Sequence, residues 1–287
     1  MFNFLLLLVP VILSTVIWPI NRRVMQNGGR GDVYGFWISI TAAACGAVMA
    51  TLLHQSLTVG GMWVIGGIIG LAFSLGFCII VNYCLTIGPT GPTVALNNMG
   101  LIAPVVVGLI WPQRQTLTLP IGIGIVLVVL AILGFSTSAS GERGKTVTAR
   151  WALLAVLGWV FACFSMGVQY VGGKLFPSLP LAQVTAFATA SALILLPFVV
   201  RRGKTWFKKI ELWGGLLNGV GQAVALFMTL TALQRMPSSV VFPVTVLTPL
   251  ILVLMLSGLV YKERLGRLVW IACGIGVVGL ALLAIFQ

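Results

Sequence analysis

Met62 to Cys84 reads MWVIGGIIGLAFSLGFCIIVNYC, 23 residues without a charge. At 1.5 Å per residue such a helix crosses the roughly 30 Å hydrocarbon core of a bilayer. Its apolar residues run on without alternating, so it is not one of the roughly 10-residue alternating strands of an outer-membrane barrel. Nine other stretches read the same way: 2–20, 33–53, 93–110, 117–135, 151–171, 181–200, 212–233, 238–260 and 268–286. The ten segments cover 205 of the 287 residues, and all 21 charged residues lie in the other 82. A charge at mid-membrane costs roughly 3 kcal/mol on insertion scales, which explains the segregation. Composition agrees, with 59% hydrophobic and 7% charged residues and a mean hydropathy of +1.12. A soluble domain carries about 25% charged residues. A soluble enzyme, a disordered chain and a fibrous protein are excluded. The expected fold is an all-α polytopic membrane protein with ten transmembrane helices.

The net charge of +13 does not point to nucleic acid, because the basic residues are scattered over short loops. They obey the positive-inside rule instead. Fourteen of the 17 Lys and Arg follow segments 1, 3, 5, 7 and 9, whereas only Arg114, Lys174 and Arg235 fall on the other side. The first group is expected in the cytoplasm and both termini outside. Met1 to Val9 lacks a basic n-region, so it reads as the first helix and not as a cleaved leader. The five cysteines all fall inside segments, where a thiol is usually a small apolar packer, and no disulfide is expected.

The chain repeats itself. Pro92-Thr93 is followed by Pro104, and Pro237-Ser238 by Pro249 at the same spacing. Ile121-Gly122-Ile123-Gly124-Ile125-Val126 matches Cys273-Gly274-Ile275-Gly276-Val277-Val278. Arg23 after helix 1 corresponds to Lys174 after helix 6. These matches divide the chain into a first five-helix repeat over 1–136, a polar cytoplasmic linker over 137–150 and a second repeat over 151–287. An odd number of spans inverts the second repeat relative to the first, as in many secondary transporters, whose substrates sit near the midplane.

From about 225 to 286 the second half resembles an EamA-type repeat of the drug/metabolite transporter superfamily. Helix 8 ends in Thr231-Ala232-Leu233, the turn Met236-Pro237-Ser238-Ser239 follows, and helix 9 carries Pro249. Tyr261-Lys262-Glu263-Arg264 then precedes a glycine-rich helix 10. The first half departs from the pattern. It has Trp111-Pro112-Gln113-Arg114 where the family often has a glycine-glutamate turn, and its fourth helix is shorter than the ninth. The resemblance implies ten helices, transport and a cavity lined by helices 1, 3, 4, 6, 8 and 9. It also implies cytoplasmic termini, opposite to the charge count.

No catalytic constellation, metal cluster or phosphate loop is present, and no cofactor is expected. His54 stands alone, and the carboxylates Asp32, Glu142, Glu211 and Glu263 all lie outside the ten segments. A buried cation without a counter-charge is costly, and the cation exporters of the superfamily's small multidrug branch use an intramembrane Glu. A neutral or zwitterionic substrate is therefore expected.

Polar residues inside segments are the candidate substrate-binding set, since an unpaired amide in hydrocarbon costs several kcal/mol. Asn97 and Asn98 interrupt helix 4 shortly before Gly100 and Pro104, where a carbonyl is freed. Asn218 and Gln222 are four apart, on one face of helix 8. Thr245 and Thr248 precede Pro249. Trp18 and the pair Gln169-Tyr170 occupy matched repeat positions. Each has a structural alternative: interhelical hydrogen bonding for the amides, back-bonding for the threonines, an interfacial belt for the aromatics. Arg23, Lys174, Arg114 and Arg235 at helix ends read as snorkelling residues or as a vestibule for an anion.

The expected function is secondary transport of a small neutral or zwitterionic metabolite by alternating access. The expected site is the inner membrane of a bacterium, and the expected partners are substrate and lipid alone, the chain being a monomer or homodimer. A lipid-linked carrier flippase of the same fold is the alternative. A signalling role is disfavoured by the lack of any soluble domain.

Overall fold

A computed structural model of the chain describes residues 2–58, 60–87, 93, 96–111, 118–138, 148–201, 208–260 and 267–285. Among these are ten helices in the predicted order. They are α1 (Phe2–Gln26), α2 (Gly31–Leu52), α3 (Gly60–Phe73, continuing as a π-helix over Ser74–Val81 and as α-helix over Asn82–Ile87), α4 (Leu96–Ile110), α5 (Leu119–Ser138), α6 (Ala149–Leu175), α7 (Pro180–Val200), α8 (Lys209–Leu233), α9 (Ser238–Val260) and α10 (Arg267–Ile285). α1, α2, α3, α6, α7 and α8 are each long and apolar enough to cross a membrane by themselves. Large apolar side chains stand outward, Leu153 71% and Leu193 63% exposed, as a lipid-facing surface requires. The chain is an all-α, multi-pass integral membrane protein. The turns before α10 (Tyr261 to Arg264, with Glu263), Pro112 to Arg114, the linker core 139–147 with Glu142, and the side chain of Trp18 lie outside the described residues.

The helices run further than the apolar segments and take in charges. α2 begins with Asp32 in its first turn and α8 with Glu211 in its own. Both carboxylates are buried, which corrects their assignment to loops. The physical reason is the set of unsatisfied N–H groups at a helix start, where a carboxylate is stabilised. Lys174 likewise lies within the last turn of α6.

Helix ends group into two layers. At the basic end, Lys208 Nζ donates to Gly28 O at 2.8 Å, and the Arg150 guanidinium lies 5.5 Å from the Tyr83 ring centroid. Gly31 abuts Asn82 there. At the far end, Leu181 N donates to Gln55 Oε1 at 3.3 Å, Gln234 Nε2 donates to Pro177 O, and Gly61 lies against Phe176. Turns after α1, α3 and α7 thus share one end, and those after α2, α6 and α8 the other.

Packing follows a rule of exchange. α2 packs on α7 and α5 on α10; α2 packs on α8 as α3 does on α7; α1 packs on α8 and α9 as α6 does on α3 and α4. Glycines set the closest approaches. A Cβ on Gly70 of α3 would meet Ala190 Cβ, Phe187 O and Ser191 N of α7, each at 2.8 Å. One on Gly219 of α8 would meet Ile38 O and Thr41 Cβ of α2 at 2.6 Å and Ala42 N at 3.1 Å. Gly66 and Gly215 make the preceding turn of each contact, on Ala186 and Trp37. Gly215 follows Gly66, and Gly219 follows Gly70, by 149 residues, and their α2 and α7 partners are related by the same offset. The glycine-rich helices α5 and α10 cover each other's faces, with Gly279 against Gly124 O.

Candidate functional site

The contacts divide the inner helices into two sets. One comprises α1, α8 and α9, the other α6, α3 and α4, with α2 and α7 between them. The polar residues of interest are distributed over both sets and at their junctions.

At the basic end, α1, α2 and α8 are tied by side chains. Tyr34 OH donates to Asn21 Oδ1, and Asn218 Nδ2 donates to Asn21 Oδ1 at 2.7 Å and to Tyr34 OH at 3.0 Å. Asn218 is buried, and its Oδ1 has no hydrogen-bond partner. Glu211 accepts from Lys208 N at 2.7 Å, as a capping carboxylate, and from Arg30 N at 2.8 Å across to the α1–α2 turn. Asn218 therefore spends its donors on neighbouring helices.

A serine cluster sits deeper. Ser39 Oγ of α2 donates to Ser191 Oγ of α7 at 2.9 Å, and Ser74 Oγ of α3 lies 2.8 Å from the same oxygen. All three are buried. Ser74 opens the π-helix, and Phe73 beside it stacks on Phe77 and meets Phe187 edge-on, both at 5.3 Å.

On α4, Met99–Leu101 tightens into a 3-10 turn ahead of Pro104, whose ring lacks the N–H that Gly100 O would accept. Gly100 lies against the α6 backbone, with a Cβ there 2.9 Å from Ala162 Cβ and 3.2 Å from Cys163 N. Gly167 meets Ala103, so α4 and α6 run parallel in this register. One turn earlier on the same faces stand Asn97 of α4 and Trp159 of α6. Asn97 is half-buried and has no hydrogen-bond partner among the described residues. Trp159 Nε1 is buried and also has none. Asn98 is buried at the start of the 3-10 turn.

The other expected residues separate. Gln222 and Thr248 are half-buried, and no partner holds their side chains among the described residues. Thr245 bonds back to Val241 O at 2.8 Å. Gln169 presents its carbonyl to Gln183 Nε2 at 3.0 Å. Tyr170 is wholly buried, its hydroxyl has no hydrogen-bond partner among the described residues, and Lys174 Nζ lies 5.9 Å from its ring centroid. Asn97, Gln222 and Thr248 thus have no hydrogen-bond partner among the described residues, Asn98 is buried, and Asn218 and Thr245 are hydrogen-bonded within the protein. Sequence reasoning passed over Trp159 and the three serines. Isolated polar atoms in apolar runs were the only signal, and that signal does not say which of them meet.

The fold defines the class, a helical multi-pass membrane protein. Residues 150–285 match the EamA-like transporter family. The match covers the second half of the chain and supports a transporter of the drug/metabolite superfamily. Among solved structures, one described only as a crystal structure of a protein superposes with a TM-score of 0.78 at 16% identity. It covers 98% of this chain and 99% of its own. That likeness bears on the fold alone. No curated protein matches the chain.

Proposed function

We propose that this transporter moves a small neutral or zwitterionic metabolite across the cytoplasmic membrane by alternating access. Its ten helices would form two inverted five-helix repeats over 1–136 and 151–287, joined by the cytoplasmic linker 137–150. The exchange of helix contacts at a 149-residue offset supports the duplication. The observation that carries the substrate class is the chemistry of the inner helices. Among the described residues, no Asp or Glu lies beyond the first turn of a helix, while Asn97, Gln222, Thr248 and the Trp159 indole are free to donate or accept hydrogen bonds. A permanent cation there would lack a counter-charge, whereas a solute with hydroxyl, amide or amino-acid groups finds partners. The positive-inside rule places the basic end in the cytoplasm.

The test joins binding to flux. Purified protein is melted against sugars, nucleosides, amino acids, organic anions, organic cations and phospholipids, and a binder at a hundredfold excess over its Kd raises stability by about 2.7 kcal/mol. The solute that binds is then followed in proteoliposomes carrying Asn97→Ala or Trp159→Phe. Stabilisation by a neutral or zwitterionic solute, and loss of its flux in both variants at an unchanged melting temperature, is the expected result. Stabilisation by cations alone, or by lipid alone, overturns the substrate class. Unchanged flux in both variants removes the α4–α6 face from the site.

A further inference from the structure

The junction of α2 with α8 holds three polar side chains whose hydrogen-bonding groups are unused. The two helices run parallel and in register there, with Gly215 against Trp37 and Gly219 against Thr41. Asn218 precedes Gly219, and Gln222 stands one turn on from Asn218, level with the next turn of α2 at Ala44 and Cys45. Asn218 is 2% exposed, and its Nδ2 donates to both Asn21 Oδ1 and Tyr34 OH. Those two bonds fix the amide and leave Oδ1 without a partner. Thr41 Oγ1 is buried and unpartnered as well. The Gln222 amide is half-buried and has no partner among the described residues.

Thr41 forgoes a bond that other threonines of the bundle make. Thr15, Thr185, Thr229, Thr231 and Thr245 each turn the hydroxyl back to the carbonyl four residues earlier, at 2.7 or 2.8 Å. That bond is open to a threonine inside any helix. A buried donor or acceptor left unpaired costs about 1–3 kcal/mol, and here two such groups meet at one helix contact. The unused groups are of both kinds. Asn218 Oδ1 only accepts, Thr41 Oγ1 donates and accepts, and the Gln222 amide donates at one end and accepts at the other. An ammonium group satisfies acceptors alone and a carboxylate donors alone, so each would leave part of the set unmet. A hydroxyl does both, and two neighbouring hydroxyls engage all three side chains. The α4–α6 face differs, because Trp159 Nε1 can only donate.

We infer that Asn218, Thr41 and Gln222 form a hydroxyl-binding subsite, which takes a neutral solute carrying neighbouring hydroxyl groups, of the polyol, sugar or nucleoside kind. Asn218 Oδ1 accepts from one hydroxyl, whose oxygen accepts in turn from Thr41 Oγ1, and the Gln222 amide holds the adjacent hydroxyl. Asn21 and Tyr34 are positioning residues that hold the Asn218 amide with its oxygen toward the site. Half-buried Gln222 stands at the accessible side, while the polar atoms of Thr41 and Asn218 are enclosed. The inference rests on the transporter reading and narrows its neutral or zwitterionic class to neutral hydroxyl compounds.

The purified full chain is melted with myo-inositol, D-glucose and uridine, and with glycine, acetate and choline as zwitterionic, anionic and cationic probes. At least one hydroxyl probe is expected to raise the melting temperature. The same probe is expected to slow alkylation of the native Cys45 by N-ethylmaleimide, read on the Cys45 peptide by mass spectrometry. Cys45 is half-buried and one turn from Thr41, so it reports on this junction. Cys163, beside Gly100 on the α4–α6 face, is the control. Thr41→Val and Gln222→Met remove the polar atoms and keep the size of the side chain. Because those atoms bond to nothing among the described residues, both variants should melt at or above the parent without probe. Both should nevertheless bind the probe roughly three- to tenfold more weakly, as expected for one lost hydrogen bond. Variants that melt lower while binding the probe unchanged would show a purely structural junction and overturn the subsite, as would protection of Cys163 without Cys45. Stabilisation by glycine with none by a hydroxyl probe overturns the subsite and leaves the zwitterion reading standing, whereas stabilisation by choline alone overturns both. No shift and no protection of Cys45 by any hydroxyl probe also overturns the subsite.

Discussion

Gly219 offers the sharpest test of the packing. Replacing a helix-interior glycine by alanine gains about 0.5–1 kcal/mol from backbone entropy where space is open. At Gly219 space is closed: the added methyl would lie 2.6 Å from Ile38 O and Thr41 Cβ. One of those atoms is backbone, so no rotamer change relieves the contact and α8 must move off α2. Overpacking of this kind costs roughly 1–3 kcal/mol. The net for Gly219→Ala is therefore a loss of about 1 kcal/mol, between zero and 2.5, from the two terms together. Gly70→Ala, the equivalent site on α3, faces Phe187 O and Ser191 N at 2.8 Å and should lose a similar amount. Gly67→Ala is the internal standard, because nothing lies within 4 Å of a Cβ there. Melting all three in one detergent should give Gly219→Ala and Gly70→Ala below the parent and Gly67→Ala at or above it. If Gly219→Ala melted with Gly67→Ala, the helices would not approach as closely as the structure has them, and the argument for equivalent glycine contacts in the two halves would fail.

The ten helices were legible because membrane insertion leaves a strong record: a run of about twenty apolar residues with charges banished to its flanks. Boundaries were less so. Asp32 and Glu211 sit next to apolar runs and read as loop residues, yet the open N–H groups of a helix start draw them into the first turn, where burial follows from neighbouring helices. The break in α4 was legible from Asn97, Gly100 and Pro104, since proline's missing donor acts locally. The π-helix of α3 was not, because Ser74–Val81 has the composition of any apolar helix and its register depends on what surrounds it. The site was legible only as a set of polar residue types. Asn218 and Gln222 share a helix face, but one is bound to Asn21 and Tyr34, nearly two hundred residues away in the case of Asn21, and the other is not. Partners that remote leave no trace in local spacing.

Two further predictions concern the polar contacts. Glu211→Ala should lower stability by about 1–3 kcal/mol, because the N–H groups of Lys208 and Arg30 both lose a charged acceptor; Glu211→Gln, which keeps one acceptor oxygen, should fall between, and a melt of Glu211→Ala equal to the parent would show that the turn-to-turn clamp contributes nothing. The serine cluster tests what a hydrogen bond is worth inside the membrane. Ser191→Ala removes the oxygen that both Ser39 and Ser74 reach, leaving the buried Ser39 hydroxyl to find another partner, while Ser74 Oγ can still donate to Ser191 O at 3.3 Å. Interhelical hydrogen bonds in membrane proteins average about 0.6 kcal/mol, because the separated helices also satisfy their polar groups. Loss of the two contacts should therefore cost about 1 kcal/mol, up to about 2 if the Ser39 hydroxyl stays unsatisfied. Replacing all three serines by alanine leaves no hydroxyl stranded, so the triple variant should be no less stable than Ser191→Ala alone. A triple variant that loses the sum of three single losses would mean that the serines act through separate contacts and not as one junction of α2, α3 and α7.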